Sequence, residues 1–81
     1  MKFYYVYILQ SDKNPERFYT GFTDNFESRL EIHNQGKCKH TFKYIPWKIK
    51  TAIAFTDKKK AIEFEGYLKT ASGRAFAKKR L

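Results

Sequence analysis

The chain has 81 residues, one cysteine and a net charge of +9. This length suffices for one domain with a thin hydrophobic core, and a single cysteine excludes an internal disulfide bond. Residues 1–36 carry a net charge of −1 and residues 37–81 carry +10, an imbalance that favours a polyanionic partner such as nucleic acid over a membrane surface.

The N-terminal part of the chain predicts a β-hairpin. Phe3–Gln10 and Arg17–Phe22 are rich in aromatic and β-branched residues, which is typical of strands. The polar residues 11–16 between them include Asn and Pro and predict a turn. Because the connection is short, the strands should pair antiparallel and bring Tyr7 and Tyr19 onto neighbouring strands.

A first helix is predicted after the hairpin. Asp24 is a candidate N-cap with Glu27 as its capping-box partner, and Gln35-Gly36 supplies a C-terminal stop. Helical periodicity gives an apolar face made of Phe26, Leu30 and His33. Arg29 falls within the same arc, so the periodicity predicts that an arginine faces the core.

The rest of the chain predicts a third strand and a second long helix. Residues 36–46 form a basic loop, Trp47–Phe55 has a strand pattern, and Thr56-Asp57 caps a helix that runs to about Ala71. Ser72-Gly73 interrupts the helix, and residues 74–81 form a short basic helical tail. The apolar face of the second helix consists of Ala61, Ile62, Phe64, Leu68 and Ala71.

The order ββ-α-β-α predicts an α+β fold in one domain spanning residues 1–81, with a three-stranded antiparallel sheet flanked by helices. Glu65, like Arg29, lies within the predicted core-facing arc of its helix. Because an unpaired buried ion costs several kcal/mol, two interpretations stay open. The two residues form a structural salt bridge, or both belong to a functional site.

Two aromatic tripeptides, Tyr5-Val6-Tyr7 and Tyr19-Thr20-Gly21, together with the two helices, carry a family resemblance. The chain resembles the GIY-YIG endonuclease superfamily, in which Gly-Ile-Tyr and Tyr-Ile-Gly occupy the tripeptide positions. Residues 23–34 look like the first helix of that family, and residues 61–69 look like the helix that bears its metal-binding glutamate. The resemblance covers nearly the whole chain and is to the small single-domain branch, similar to the nuclease domain of the excision-repair nuclease subunit.

The resemblance implies a role for each matching residue. Tyr19 would act as general base, with Tyr7 hydrogen-bonded beside it. Arg29 would stabilise phosphate charge, His33 would relay a proton or contact phosphate, and Glu65 would hold one Mg²⁺ or Mn²⁺ ion. The implied function is a divalent-metal-dependent DNA endonuclease that hydrolyses phosphodiester bonds in DNA repair or recombination.

Nucleic acid, with DNA favoured over RNA, is the expected partner, and a protein partner could supply specificity. The phosphate backbone of the nucleic acid should contact basic residues of the loop and of the C-terminal region, namely Lys37, Lys39, His40, Lys43, Lys69, Arg74, Lys78 and Lys79. The first nine residues carry one basic residue and a short apolar run. They predict a strand rather than a signal peptide or membrane span, and a cytoplasmic location is expected.

Two alternatives keep the fold and change the function. Phe22 stands where the family often has lysine, and no asparagine follows Asn34. These departures favour a catalytically silent nucleic-acid-binding module as the first alternative. A protein-interaction domain with vestigial charge is the second.

Overall fold

The computed structural model describes residues 1–81 as a three-stranded antiparallel sheet with three helices. The strands, in the sheet order β2-β1-β3, are β1 (Tyr4–Ser11), β2 (Phe18–Thr23) and β3 (Trp47–Phe55). The helices are α1 (Phe26–Asn34), α2 (Lys58–Leu68) and α3 (Ala71–Arg80), and a 3₁₀ turn spans Phe42–Tyr44. The predicted fold class is confirmed, with α3 as a full additional helix.

The central strand β1 divides the interior into two small cores, because its successive side chains point to opposite faces of the sheet. On one face, Val6 and Ile8 pack with Ala61 and Leu68 of α2. On the other face, the buried residues Tyr7, Leu9 and Trp47 pack against side chains of α1 and of the loop that follows it. Helices α1 and α2 therefore cover opposite faces of the sheet.

Helix α1 begins one residue later than the capping pattern predicts. Asn25 is the N-cap, and its Oδ1 accepts a hydrogen bond from the Ser28 amide at 3.3 Å. The Thr23 hydroxyl accepts the Asn25 amide at 3.0 Å and fixes this turn. Asp24 instead forms an exposed ion pair with Lys2, so the prediction of Asp24 as the cap is wrong.

The predicted end of the second helix is also wrong. Helix α2 ends at Leu68, and the Thr70 hydroxyl accepts the Gly73 amide at 3.1 Å to cap a new helix. A threonine that bonds backbone amides in this way competes with continued helix and starts another. Gly73 lies inside α3, where a Cβ would overlap the Tyr67 carbonyl and lie 2.6 Å from the Leu68 Cα. It therefore permits close helix packing and does not act as a break.

Two other predicted core positions are open to solvent. Ile62 of α2 is 47% exposed, and Ala71 lies exposed at the start of α3. The residues of α2 that are fully buried in the core are Ala61 and Leu68. None of the three helices is long and apolar enough to span a bilayer.

Candidate active site

The candidate site is built around Tyr7, a 2% exposed residue in the middle of β1. Its register partner on β2 is Gly21, the glycine of the second tripeptide. The Tyr7 ring lies across Gly21, so a Cβ at that position would lie 2.5 Å from Tyr7 Cζ. Gly21 is required here for space, because any side chain would displace the tyrosine ring.

Tyr7 belongs to a buried chain of hydrogen-bonding groups. Its hydroxyl lies 3.2 Å from Nε2 of His33, and Nδ1 of His33 lies 2.9 Å from the Thr41 hydroxyl. Both partners are almost fully buried, and the Thr41 carbonyl accepts the Trp47 indole N–H at 3.0 Å. The expectation that Tyr7 bonds to Tyr19 is wrong, since the hydroxyl of Tyr7 bonds to His33 of α1 instead.

Burial sets the protonation of this chain. It raises the pKa of Tyr7, as do the neighbouring Tyr19 and Glu65, whereas the positive charge of Arg29 opposes the shift. Burial also lowers the pKa of His33, and Arg29 lowers it further. At neutral pH Tyr7 is therefore a protonated phenol and His33 a neutral imidazole, and neither carries a charge that would be costly in the core.

Tyr19 is half-buried beside this chain. Its ring centroid lies 4.8 Å from that of His33 and 6.4 Å from that of Tyr7. Its hydroxyl makes none of the side-chain hydrogen bonds of the protein, unlike the hydroxyl of Tyr7. This leaves the Tyr19 hydroxyl available to water or to a bound molecule.

Arg29 is exposed on α1, so the prediction that it faces the core is wrong. It forms none of the ion pairs of the protein. Its charge is nevertheless close enough to oppose the rise in the pKa of Tyr7 and to lower the pKa of His33. The guanidinium reaches water at the edge of the site, as long cationic side chains do. It is free to bind an anion.

Glu65 comes from α2, on the other side of the sheet, and its side chain is 19% exposed. Its ion-pair partner is Lys69, with Nζ 2.6 Å from Oε2. The structural pair with Arg29, one of the two interpretations that the sequence left open, does not form. Glu65 is nevertheless close enough to raise the pKa of Tyr7. Two opposite charges thus lie near Tyr7 without pairing with each other.

The donor set near Glu65 is small. No group of three or more His, Cys, Asp or Glu side chains could hold a metal ion. One carboxylate fits a hard ion that keeps most of its waters and shares phosphate oxygens, which is a common arrangement for Mg²⁺. The residues therefore fit an ion that binds together with a phosphate ligand, and they do not form a closed structural metal site.

Two residues that the sequence did not single out for the site lie in it. Thr41 is fully buried and holds the outer nitrogen of His33. Cys38 is half-buried and close enough to contribute to the raised pKa of Tyr7. Both lie in the loop after α1, where no periodicity marks buried positions, so only the folded path of the loop reveals them.

The predicted nucleic-acid contacts are all exposed and fall into two groups. The first group lies on the loop after α1 and the second on the end of α2 and on α3, and together they comprise Lys37, Lys39, His40, Lys43, Lys69, Arg74, Lys78 and Lys79. His40 points to solvent, in contrast to the buried His33. Positive charge that could bind phosphate therefore follows the C-terminal ends of both α1 and α2.

Fold and site together define a small α+β domain with paired tyrosines, an open arginine and a lone carboxylate. The model of the GIY-YIG catalytic domain matches residues 3–80, and the chain belongs to the GIY-YIG family, which is a family of nucleases. Within it, the chain is 37% identical over 70 residues to a UPF0213 protein of Bacillus licheniformis, covering 85% of this chain and 70% of that protein. A UPF0213 protein of Lactococcus lactis is 39% identical over 71 residues, covering 85% of this chain and 65% of that protein.

Two further comparisons bear on fold and function. The solution structure of a UPF0213 protein from Bacillus halodurans matches with a TM-score of 0.57 and 31% identity, over 94% of this chain and 80% of that one. A structure-specific endonuclease subunit SLX1 homolog of Giardia intestinalis is 34% identical over 65 residues, which is 75% of this chain and only 18% of that protein. The likeness to the Giardia protein is thus confined to one part of a much larger chain.

Proposed function

We propose that the protein is a divalent-metal-dependent endonuclease that hydrolyses phosphodiester bonds in DNA. The observation that carries the proposal is the arrangement of charge around Tyr7. Arg29 and Glu65, from helices on opposite faces of the sheet, both act on the pKa of Tyr7 and do not pair with each other. A merely structural salt bridge would have joined them.

Phosphodiester hydrolysis needs a base for the attacking water and positive charge for the phosphoryl oxygens. Tyr19, whose hydroxyl has no partner within the protein, would act as a phenolate, which takes the proton of the attacking water and becomes a phenol. Arg29 would bind the phosphate as a fork of donors and stabilise the charge that develops on it. Tyr7 stays protonated because it is buried, so its role is to orient the site rather than to accept a proton.

Glu65 would hold the metal together with water and phosphate oxygens. A bound Mg²⁺ or Mn²⁺ ion supplies charge neutralisation on the phosphate and stabilises the leaving oxygen. The Thr41–His33–Tyr7 chain would fix the ring of Tyr7 beneath the scissile phosphate. Since His33 is 1% exposed, a proton or positioning role suits it better than contact with phosphate.

The first alternative, a silent nucleic-acid-binding module, has one observation in its favour. The Lys69 ammonium lies 2.6 Å from Glu65 and occupies the carboxylate that a metal would need. An ion that arrives with a phosphate would have to displace this ammonium. The alternative predicts DNA binding that is indifferent to Mg²⁺ and to the loss of Glu65.

We also propose that the physiological role lies in DNA repair or recombination in the cytoplasm. The domain has no second recognition unit in residues 1–81, so its contacts would go mostly to phosphate and give little sequence specificity. A protein partner would then supply selectivity. The Giardia relative supports this, because its name describes it as a subunit of a structure-specific endonuclease.

The test is cleavage of a labelled DNA panel with Mg²⁺ or Mn²⁺, comprising duplex, single strand, nicked duplex, flap and four-way junction. Tyr19→Phe and Glu65→Gln should each lower the cleavage rate by about 100-fold or more. Matched controls are Tyr67→Phe and Glu63→Gln, which remove the same groups from exposed positions of α2. Cutting that survives both site variants, or no cutting of any substrate, would refute the nuclease proposal.

A further inference from the structure

An open groove adjoins the candidate active site and is not explained by it. Its volume is about 670 Å³, and it lies on the sheet face that α2 and α3 cover. Its apolar floor is formed by Ile8, Leu68 and Ala77. Lys69, the ion-pair partner of Glu65, and Tyr19 also line the groove. The ring of Tyr19 packs on the opposite face of the sheet beside His33, and the two faces meet at the edge strand β2.

The rim of the groove is strongly cationic. Lys50, Lys69, Arg74 and Lys78 line it, against Glu16 as the one carboxylate. Of the four cations, Lys69 alone takes part in an ion pair of the protein. Three cations that form no ion pair, around an apolar floor, create a site for a ligand that has both apolar surface and repeated negative charge.

Phe18 adds an aromatic surface to this groove. It lies at the start of the edge strand β2 and is 51% exposed. The Lys50 ammonium lies 5.9 Å from the centroid of the ring. An exposed ring beside cations is the combination that single-stranded nucleic-acid sites use, because a base stacks on the ring while its phosphate meets the charge.

A duplex cannot use this combination along its length. Its bases already stack on one another, so a protein that approaches from outside meets phosphates, sugars and base edges but no free base face. A base that is unpaired offers a free face to Phe18 and apolar surface to the groove floor. The apolar component of the groove therefore discriminates between paired and unpaired nucleotides, which charge alone does not.

We propose that this groove binds an unpaired segment of a nucleic-acid strand. One base would stack on Phe18, with its neighbouring phosphates on Lys50, Arg74 and Lys78. The nucleic-acid strand would then pass over the edge strand β2 to reach the Tyr19 hydroxyl on the opposite face of the sheet. The inference rests on the proposed nuclease function, because the path of the strand to Tyr19 matters only if Tyr19 takes part in cleavage. It names the substrate class as phosphodiester bonds next to unpaired nucleotides, as in a flap or an overhang.

The test is equilibrium binding by fluorescence anisotropy in EDTA, so that no cleavage occurs. The probes are an oligothymidine of about 12 nucleotides, in the range of single-strand site sizes, and a blunt duplex of the same length. Phe18→Ala should weaken single-strand binding about tenfold and duplex binding less than twofold. Phe18→Trp should keep single-strand affinity. Phe42→Ala, which removes a 47% exposed phenylalanine outside the groove, should change neither.

Three results would overturn the inference: unchanged single-strand affinity of Phe18→Ala, an equal loss for both probes, or a matching loss in Phe42→Ala. Circular dichroism melting of Phe18→Ala tests whether a folding defect causes the loss of binding. Phe18→Trp keeps an aromatic ring at this position and tests the stacking contribution in a second variant. The readout is independent of catalysis. If Phe18→Ala leaves binding unchanged while cleavage still depends on Tyr19, only the groove proposal is refuted. If Phe18→Ala weakens single-strand binding but no cleavage depends on Tyr19, only the nuclease proposal is refuted.

Discussion

The Tyr7 hydroxyl lies 3.2 Å from Nε2 of His33, which follows it by 26 residues in the chain. This hydrogen bond joins the central strand to α1, and Thr41 extends it to the loop beyond. Three segments that are distant in sequence thus meet in one buried polar chain beneath the candidate site. The two motif tyrosines therefore differ in hydrogen bonding: the Tyr7 hydroxyl is buried and bonded, whereas the Tyr19 hydroxyl has no partner within the protein.

This difference in environment predicts that Tyr7→Phe and Tyr19→Phe affect stability differently. Tyr7→Phe leaves a buried nitrogen of His33 without its partner and should lower the free energy of unfolding by about 1–3 kcal/mol. Tyr19→Phe removes a hydroxyl that has no partner within the protein and should change stability little while lowering cleavage. Urea denaturation and cleavage rates of both variants, measured side by side, check the prediction. Equal destabilisation by the two would contradict it.

The lowered pKa of His33 predicts a loss of stability in acid. In the unfolded chain the imidazole has its ordinary pKa near 6.5. As the pH falls below this value, the unfolded state binds a proton on this imidazole while the folded state, with its lower pKa, does not yet bind one. Stability is therefore full above about pH 6.5 and decreases below it, by at most about 1.4 kcal/mol per pH unit from this group.

Melting curves between pH 5 and pH 8 measure this dependence. His33→Gln should be less stable throughout but should lose less on acidification than the parent protein. His40→Gln, which removes the exposed imidazole instead, is the control and should retain the parental slope. A His33→Gln profile as steep as that of the parent would contradict the assignment.

The glycines predict a contrast between two alanine substitutions. Gly21→Ala would push its methyl group into the Tyr7 ring, so we expect destabilisation of about 1–3 kcal/mol from overpacking and loss of cleavage. Gly66→Ala meets nothing within 4 Å on the exposed side of α2 and should stabilise the helix by about 0.5–1 kcal/mol. Thermal denaturation of both variants provides the measurement, and a tolerated Gly21→Ala would refute the packing explanation.

The ion pair of Glu65 predicts how metal dependence responds to mutation. Lys69→Gln removes the ammonium that lies 2.6 Å from the carboxylate, so the Mg²⁺ concentration for half-maximal cleavage should fall severalfold. Glu65→Gln should abolish metal-dependent cleavage, and EDTA should abolish it in every variant. Mg²⁺ titrations at saturating DNA separate this effect from the contribution of Lys69 to DNA binding. An unchanged half-maximal concentration in Lys69→Gln would argue against Glu65 as the metal ligand.

The basic loop after α1 predicts a salt signature. If Lys39 and Lys43 each meet a phosphate, replacing both by glutamine should reduce the slope of log affinity against log salt by about 2 and weaken all DNA probes alike. Lys13→Gln, in the exposed β1–β2 turn, serves as the control and should alter the slope little. Affinities measured at several salt concentrations decide this, and a parental slope in the double variant would place the DNA elsewhere.

Local pattern predicted the elements better than their ends. Trp47–Phe55 was predicted with the bounds that the structure has, because a β-branched and aromatic run follows a proline. The end of α2 was missed, since the hydrogen bond from the Gly73 amide to the Thr70 hydroxyl outweighs a helical pattern that continues past it. Periodicity also placed Arg29 in the core, because it locates a Cα and takes no account of a side chain long enough to reach water.

The sequence by itself predicted the fold class and the residues of the site, because strand and helix patterns, the short hairpin connection and the tripeptide motifs are local features. Tertiary structure decided what those residues can do. Burial keeps Tyr7 protonated and His33 neutral, the close approach of Tyr7 gives Gly21 its purpose, and Glu65 meets Lys69 instead of Arg29. Protonation and pairing depend on the distances between segments far apart in the chain, and those distances exist only once the sheet and its helices have assembled.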